Sequence, residues 1–257
     1  MMTMQMRPTV TSRRSRMGTS RQGGVPTRLP EPAEVVASGL ALEFAPRPRE
    51  RHELRPGVVL ITSWLDIEQQ RALVDDFRRW ALPPAGLRHP RVPAGHLMSV
   101  QSVCLGWHWQ PYAYSRTADD TDGEPVKPLP DDLRELSRAA VRDTFGADAG
   151  DRYQPDAVIV NLYAPGAKLG LHQDDEEPSD APVVTISLGD SCTFRMAGVD
   201  RRTGPFTDIE LQSGDLLVFG GPNRRVFHGV PKLFDGTGPQ IGLPNGRLSI
   251  TVRETGF

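Results

Sequence analysis

The sequence predicts an α+β protein, with helices first and packed outside a β core that follows. Two stretches before residue 146 carry apolar residues at helical spacing. From residue 156 onward, short β-type runs succeed one another between Gly, Pro and Asp turn signals, and no helical period survives there. Many short strands punctuated in this way indicate a sandwich or jelly roll.

Residues 1–30 read as a disordered basic tail, and residues 31–257 as a single domain. The stretch from Pro46 to Pro56 is rich in Pro and charge and reads as a connector. Ordered structure is expected from Val58-Val59-Leu60-Ile61, a short apolar strand. Asp66 before Ile67-Glu68-Gln69 resembles a capping box, and Leu73, Val74, Phe77 and Trp80 follow at helical spacing, so a helix is expected over 66–81. A second helix is expected over 131–145, with Leu133, Leu136, Ala140 and Val141 on one face. Between them lies a strand-like run from Met98 to Val103. The expected core strands are Ala157–Tyr163, Val183–Leu188, Cys192–Met196, Asp208–Leu211, Leu216–Phe219, Val226–His228 and Leu248–Val252.

Composition narrows the partners. The 257 residues are 38% hydrophobic, enough for a core without disulfide or metal staples, and the net charge is −2. That average hides a split: the first 28 residues hold six arginines and no acid, while the rest has 24 basic and 32 acidic residues, a balance of −8. An anionic partner of the body would have to be held by a local patch. No apolar run approaches a membrane span, and no secretory signal core is present. Cys104 and Cys192 stand beside apolar residues and read as buried reduced thiols, so a cytoplasmic location is expected, and the protein is expected to be a monomer. P-loop, Rossmann and C-x-x-C patterns are absent.

His172-Gln173-Asp174 is the first chemical signal. On a strand, residues i and i+2 share a face, so an imidazole and a carboxylate would be presented together. His228 lies 56 residues on. Two histidines and a carboxylate on one side of an octahedral metal leave three positions open, which suits non-haem Fe(II). H-x-D alone is weak, since a histidine on an apolar strand is more often a hydrogen-bonded core residue. The run Arg247-Leu248-Ser249-Ile250-Thr251-Val252-Arg253 alternates strictly. Its polar face belongs either to an edge strand in water or to a pocket for an acidic ligand, where two guanidinium groups suit a diacid. Alternation does not choose between them.

The run from Asn161 to Asp174 (NLYAPGAKLGLHQD), the closing R-x-S-x-T-x-R and His228 inside Phe-His-Gly strongly resemble the AlkB family of Fe(II)/2-oxoglutarate dioxygenases. The similarity extends through Met98-Ser99-Val100, Leu105-Gly106-Trp107 and Tyr153–Ala157, covering roughly residues 58–255 in matching order. The resemblance implies a double-stranded β-helix (jelly-roll) core over 156–255, with helices and a nucleotide-recognition segment over 58–155. It makes His172, Asp174 and His228 the iron ligands, and Asn161, Tyr163, Arg247, Ser249 and Arg253 the residues that hold 2-oxoglutarate. Ser249 departs from bacterial relatives that have Asn at this position.

On the substrate side, Trp107, Trp109, Tyr112 and Tyr114 place four aromatics in eight residues. Such a cluster is either core or a surface lid whose faces stack on unpaired bases. The resemblance assigns Trp107 to base stacking and Tyr112 and Tyr114 to the substrate segment. It also matches Glu176, within the acidic run Asp175-Glu176-Glu177, and Arg201 to contacts with the extruded base. Arg224 and Arg225 are either phosphate contacts or a solvated pair.

The implied activity is oxidative demethylation of 1-methyladenine and 3-methylcytosine in DNA, single-stranded before double-stranded and with RNA as a further candidate. It would consume 2-oxoglutarate and O₂ and release formaldehyde, succinate and CO₂. Two other classes stay open at this stage: an oxygenase acting on a small molecule, RNA or a protein, and a non-enzymatic jelly-roll binding module.

Overall fold

The computed structural model of the chain describes residues 47–257 apart from residue 93. The described residues form one compact unit. The basic tail expected over residues 1–30 lies outside the described residues.

The first strand corrects the sequence reading. β1 (Arg51–Arg55) falls within the stretch expected to be a connector, is mostly exposed, and pairs antiparallel with the fully buried β2 (Val58–Ile61). Its apolar alternation is missing because β1 is the edge of its sheet, where charged side chains discourage further pairing. Gly57 turns the chain at φ +74°, where a Cβ would run into the Gly220 carbonyl.

Helix α1 (Ile67–Trp80) starts as expected. Asp66 Oδ1 accepts from the Gln69 amide at 2.8 Å, and Gln69 Oε1 accepts from the Asp66 amide at 3.0 Å. Its buried face is Gln70, Leu73, Val74, Phe77 and Trp80. The strand expected over 98–103 is β3 (Gln101–Leu105), followed by a small hairpin, β4 (His108–Gln110) and β5 (Ala113–Ser115). Helix α2 (Asp131–Phe145) matches its expected bounds, and a six-residue helix α3 (Ala147–Arg152), too short to show a period, follows directly.

The remaining strands are β6 (Ala157–Tyr163), β7 (Leu169–His172), β8 (Val183–Gly189), β9 (Ser191–Met196), β10 (Thr207–Leu211), β11 (Leu216–Phe219), β12 (His228–Phe234) and β13 (Arg247–Arg253). The strand expected over 226–228 begins only at His228 and runs on to Phe234. A seven-stranded sheet has the order β1-β2-β11-β8-β13-β6-β3, and a four-stranded sheet the order β10-β9-β12-β7.

The period of two sorts the core into layers. Val59, Ile61, Val158, Val160, Ile186, Val218, Leu248, Ile250 and Val252 pack with Leu73, Phe77, Leu133 and Val141 of the helices. Val58, Leu60, Tyr163, Val183, Leu217 and Phe219, on the opposite face, pack with Cys192, Phe194, Met196, Ile209 and Val230 of the smaller sheet. Helices therefore cover one face of the large sheet and the small sheet covers the other. Strand β13 lies between β8 and β6 with all seven residues buried, so its polar face is not the wet face of an edge strand. Since Leu248, Ile250 and Val252 point to the helices, Arg247, Ser249, Thr251 and Arg253 point between the sheets.

Candidate active site

His172 and His228 are direct partners across the antiparallel β7–β12 pair, and their ring centroids are 4.4 Å apart. Each Nδ1 meets the carbonyl oxygen two residues upstream, Gly170 for His172 and Val226 for His228, both at 3.0 Å. An Nδ1–H donor in that bond leaves each Nε2 lone pair free for a metal. Asp174 Oδ1 lies 3.7 Å from His172 Nε2, and Oδ2 lies 3.9 Å from His228 Nε2. Ligand atoms from all three residues fall within 4.8 Å of one another. Phe194 stacks on His228 at 5.5 Å and Phe219 packs beside it at 4.9 Å.

Asp174 is not on a strand with His172. β7 ends at His172, and Asp174 lies two residues beyond it. Two arginines place the carboxylate instead. Arg253 donates to Asp174 Oδ2 from Nε at 3.0 Å and Nη2 at 2.8 Å, while Arg224 Nη1 donates to the Asp174 main-chain carbonyl at 3.0 Å. Burial works against the Asp174 charge, but Arg253 and the two histidines hold its carboxyl well below the usual carboxylate range. Burial, reinforced by neighbouring His172, pulls His228 down to about 4 and keeps it neutral near pH 7. Two imidazoles and one carboxylate are the donor set that Fe(II) takes in oxygenases of the facial-triad type, so the residues fit the metal.

Four of the five expected 2-oxoglutarate residues, Asn161, Tyr163, Ser249 and Arg253, line one cleft together with His172 and His228, while Arg247 is not part of its lining. Register aligns them: Ser249 faces Asn161 on one side and Ser187 on the other, and Asn161 faces Ser102. Ser102 Oγ donates to Asn161 Oδ1 at 2.6 Å. Arg247 is fully buried (0% exposed). Its Nε donates to Ser187 Oγ at 3.0 Å and its Nη2 to Ser249 Oγ at 3.5 Å, while Nη1 has no partner. Arg253 Nη1 is likewise buried and unpaired. Burial raises the Tyr163 hydroxyl to about 12, against the pull of Arg247, so it stays a donor. Two buried guanidinium groups with a spare donor each on one strand face could pair with a compact diacid.

The expected substrate residues divide. Tyr112 stands at the hairpin tip with φ +72° and 76% exposure. Tyr114 lies on β5, and its hydroxyl donates to Glu177 Oε1. Trp107 is half-buried, with Nε1 donating to Asp156 Oδ2 at 3.0 Å. Glu176 is half-exposed, and burial together with the Glu177 and Asp174 charges pushes its carboxyl up. Arg201 is exposed on the loop between β9 and β10. The acidic run is not a fully solvated turn, because Glu177 is buried against Arg224 at 3.2 Å and Arg253 at 3.4 Å. Arg224 is buried too, whereas Arg225 reaches Asp175 and Asp180 at 3.1 Å each. Three consecutive acids do not reveal which one turns inward. The one available signal was the arginine pair preceding His228, a run of opposite charge close to the other iron ligand.

A family model described as the 2OG-Fe(II) oxygenase superfamily matches residues 57–253, and the chain belongs to that superfamily. Within it the likeness is to AlkB proteins. The chain is 34% identical to "Alpha-ketoglutarate-dependent dioxygenase AlkB" of Salmonella typhimurium, covering 82% of this chain and 96% of that protein. It is 32% identical to "DNA N(6)-methyladenine demethylase ALKBH1D" of Arabidopsis thaliana over 78% of this chain, and spans about half the length of that relative (50%). The solved structure of OsALKBH1 superimposes with a TM-score of 0.71 at 30% identity, covering 80% of this chain and all of that one.

Proposed function

We propose that the chain is an Fe(II)/2-oxoglutarate-dependent dioxygenase that removes N-methyl groups from bases of nucleic acid, with 1-methyladenine and 3-methylcytosine in single-stranded DNA as its first substrates. The observation that carries this reading is Arg247, a fully buried guanidinium with a spare donor. A buried charge without a counter-ion is costly, and a carboxylate supplied by a co-substrate removes the cost. The Salmonella relative's name supports 2-oxoglutarate as that diacid and a dioxygenase reaction, and the Arabidopsis relative's name supports demethylation of DNA. The two facing antiparallel sheets support a double-stranded β-helix, or jelly roll, as the core over 156–255. The segment over 58–155 would then carry the outer helices and the nucleotide-recognition hairpin.

In this reading His172, Asp174 and His228 hold iron. The bound metal supplies the oxidation, in which 2-oxoglutarate, O₂ and the N-methyl base become succinate, CO₂, formaldehyde and the unmethylated base. The protein's own contribution is orientation and electrostatics. Arg247 holds the distal carboxylate of 2-oxoglutarate, with Tyr163 and Asn161 as hydrogen-bonding partners and Ser249 as a shorter donor beside the arginine. Arg253 fixes Asp174 so that Oδ1 is left for the metal. Glu176 favours a cationic, methylated base over the neutral product, and such a base pairs weakly and costs less to extrude. Tyr112, Trp107 and Arg201 flank the entry as contacts to the strand.

The test is formaldehyde release, dependent on Fe(II) and 2-oxoglutarate, from matched oligonucleotides. Single-stranded DNA with 1-methyladenine or 3-methylcytosine is expected to react fastest, ahead of duplex DNA and methylated RNA. 2-Oxoglutarate consumption unaffected by any methylated nucleic acid would overturn the substrate assignment.

A further inference from the structure

Three aromatic rings meet beside the hairpin. Phe257 packs against Trp107, with centroids 5.3 Å apart and planes at 64°, and against Tyr114 at 5.7 Å and 56°. Phe257 does not belong to the hairpin: it lies four residues beyond the end of β13, the strand that carries Arg247 and Arg253. The Asp156 carboxylate links this segment to the aromatic cluster. Asp156 accepts from the Thr255 amide at 2.7 Å, from the Thr255 hydroxyl at 2.6 Å and from Trp107 Nε1 at 3.0 Å. The Phe257 amide in turn donates to Thr255 Oγ1 at 3.3 Å.

The surfaces these rings offer are unequal. Trp107 has its indole N–H engaged by Asp156 and its ring in contact with Phe257. The Arg116 guanidinium covers one face, 3.4 Å from the ring centroid, and donates to the Gly106 carbonyl at 2.8 Å. Tyr114 is tied through its hydroxyl to buried Glu177. Phe257, by contrast, leaves 58% of its surface in water, with a cation stacked on the ring next to it. An exposed aromatic face beside a positive group is the combination that single-stranded nucleic acid recognises, with the base on the ring and the backbone near the charge.

We infer that Phe257 is a stacking platform for a base of the substrate strand, so that recognition extends past the hairpin onto the segment that follows the arginine strand. This rests on the nucleic-acid demethylase reading above. It moves the open stacking surface from Trp107, which the protein already covers in part, to a residue outside the aromatic cluster visible in the sequence.

The experiment measures binding of a fluorescein-labelled single-stranded oligonucleotide carrying one 3-methylcytosine. The full-length protein is held without oxygen in the presence of Fe(II) and 2-oxoglutarate, and anisotropy is followed. Phe257→Ala and Phe257→Leu are expected to bind about tenfold more weakly than the parent, and Phe257→Trp to bind as the parent does. Melting temperature, and its rise on adding 2-oxoglutarate, should stay unchanged in all three. Parental affinity in Phe257→Ala would overturn the inference. Parental affinity in Phe257→Leu would also overturn it, because an aliphatic side chain replaces packing but not stacking. If the parent itself binds the methylated strand no better than an unmethylated one and releases no formaldehyde from it, the demethylase reading fails, and this inference falls with it.

Discussion

Arg253 places two hydrogen bonds, from Nε and Nη2, on the same oxygen of Asp174, Oδ2, and leaves Oδ1 facing His172. Both side chains are buried, so the pairing decides which carboxylate lone pairs remain for a metal. Partners of this kind typically change metal affinity by about 10–100-fold. Arg253→Lys keeps the charge but loses the two-pronged geometry. Fe(II) or Co(II) titration of this variant is expected to show affinity reduced within that range, and affinity within twofold of the parent would contradict the role.

Arg247 yields a prediction of opposite sign for stability. Its guanidinium is buried with an unpaired donor, so replacing it with an apolar side chain of similar length removes a cost. Arg247→Met should melt at or above the parent temperature without ligand. At a hundredfold excess over Kd, 2-oxoglutarate should raise the parent melting temperature by about 5–10 °C. Thermal denaturation should show this rise missing in the Met variant. A normal rise there would reject the carboxylate clamp.

The two adjacent glutamates should separate cleanly. Removing Glu177 strips buried Arg224 of its charge partner, and Glu177→Ala is expected to cost about 3–5 kcal/mol in urea denaturation. Glu176 is only half-buried, and Glu176→Ala is expected to cost less than about 1 kcal/mol while weakening binding of the methylated strand. The reverse ranking of stabilities would show that the acidic run has been misplaced.

These two residues also mark how much of the site was legible in the sequence. The H-x-D pair, His228 and the alternating arginine strand stand in the chain as types and spacings, and they converge as expected. Asp174 differs from the strand geometry expected of it, because β7 stops at His172 and buried arginines aim the carboxylate. The buried pairing of Glu177 with Arg224 is not legible in the sequence, because local charge runs look alike whether they are solvated or paired across the fold. In the fold, α1 and α2 were readable from apolar period and capping, whereas β1 was hidden by its charged edge character and α3 by its shortness. Phe257 was invisible for another reason: its significance arises only where the end of the described chain meets Trp107 and Tyr114.

The charge distribution bears on how a strand is held. Beyond the first 28 residues the chain carries a balance of −8, so phosphate neutralisation by the body should be modest. Affinity for a methylated single strand is expected to fall only gently with salt, and more gently still after deletion of residues 1–28. A steep slope that survives this deletion would contradict an entry held mainly by stacking and pocket contacts.

The central claim is that His172, Asp174 and His228 hold a metal that works with 2-oxoglutarate on a methylated base. Formaldehyde release from single-stranded DNA containing 3-methylcytosine, compared between the parent and His172→Ala with iron and 2-oxoglutarate in excess, tests it most directly. Release by the parent and loss of at least about a thousandfold in the variant is the predicted result, since among the described residues His172, Asp174 and His228 are the one group of three that could hold a metal. Equal release by the two proteins would contradict the assignment.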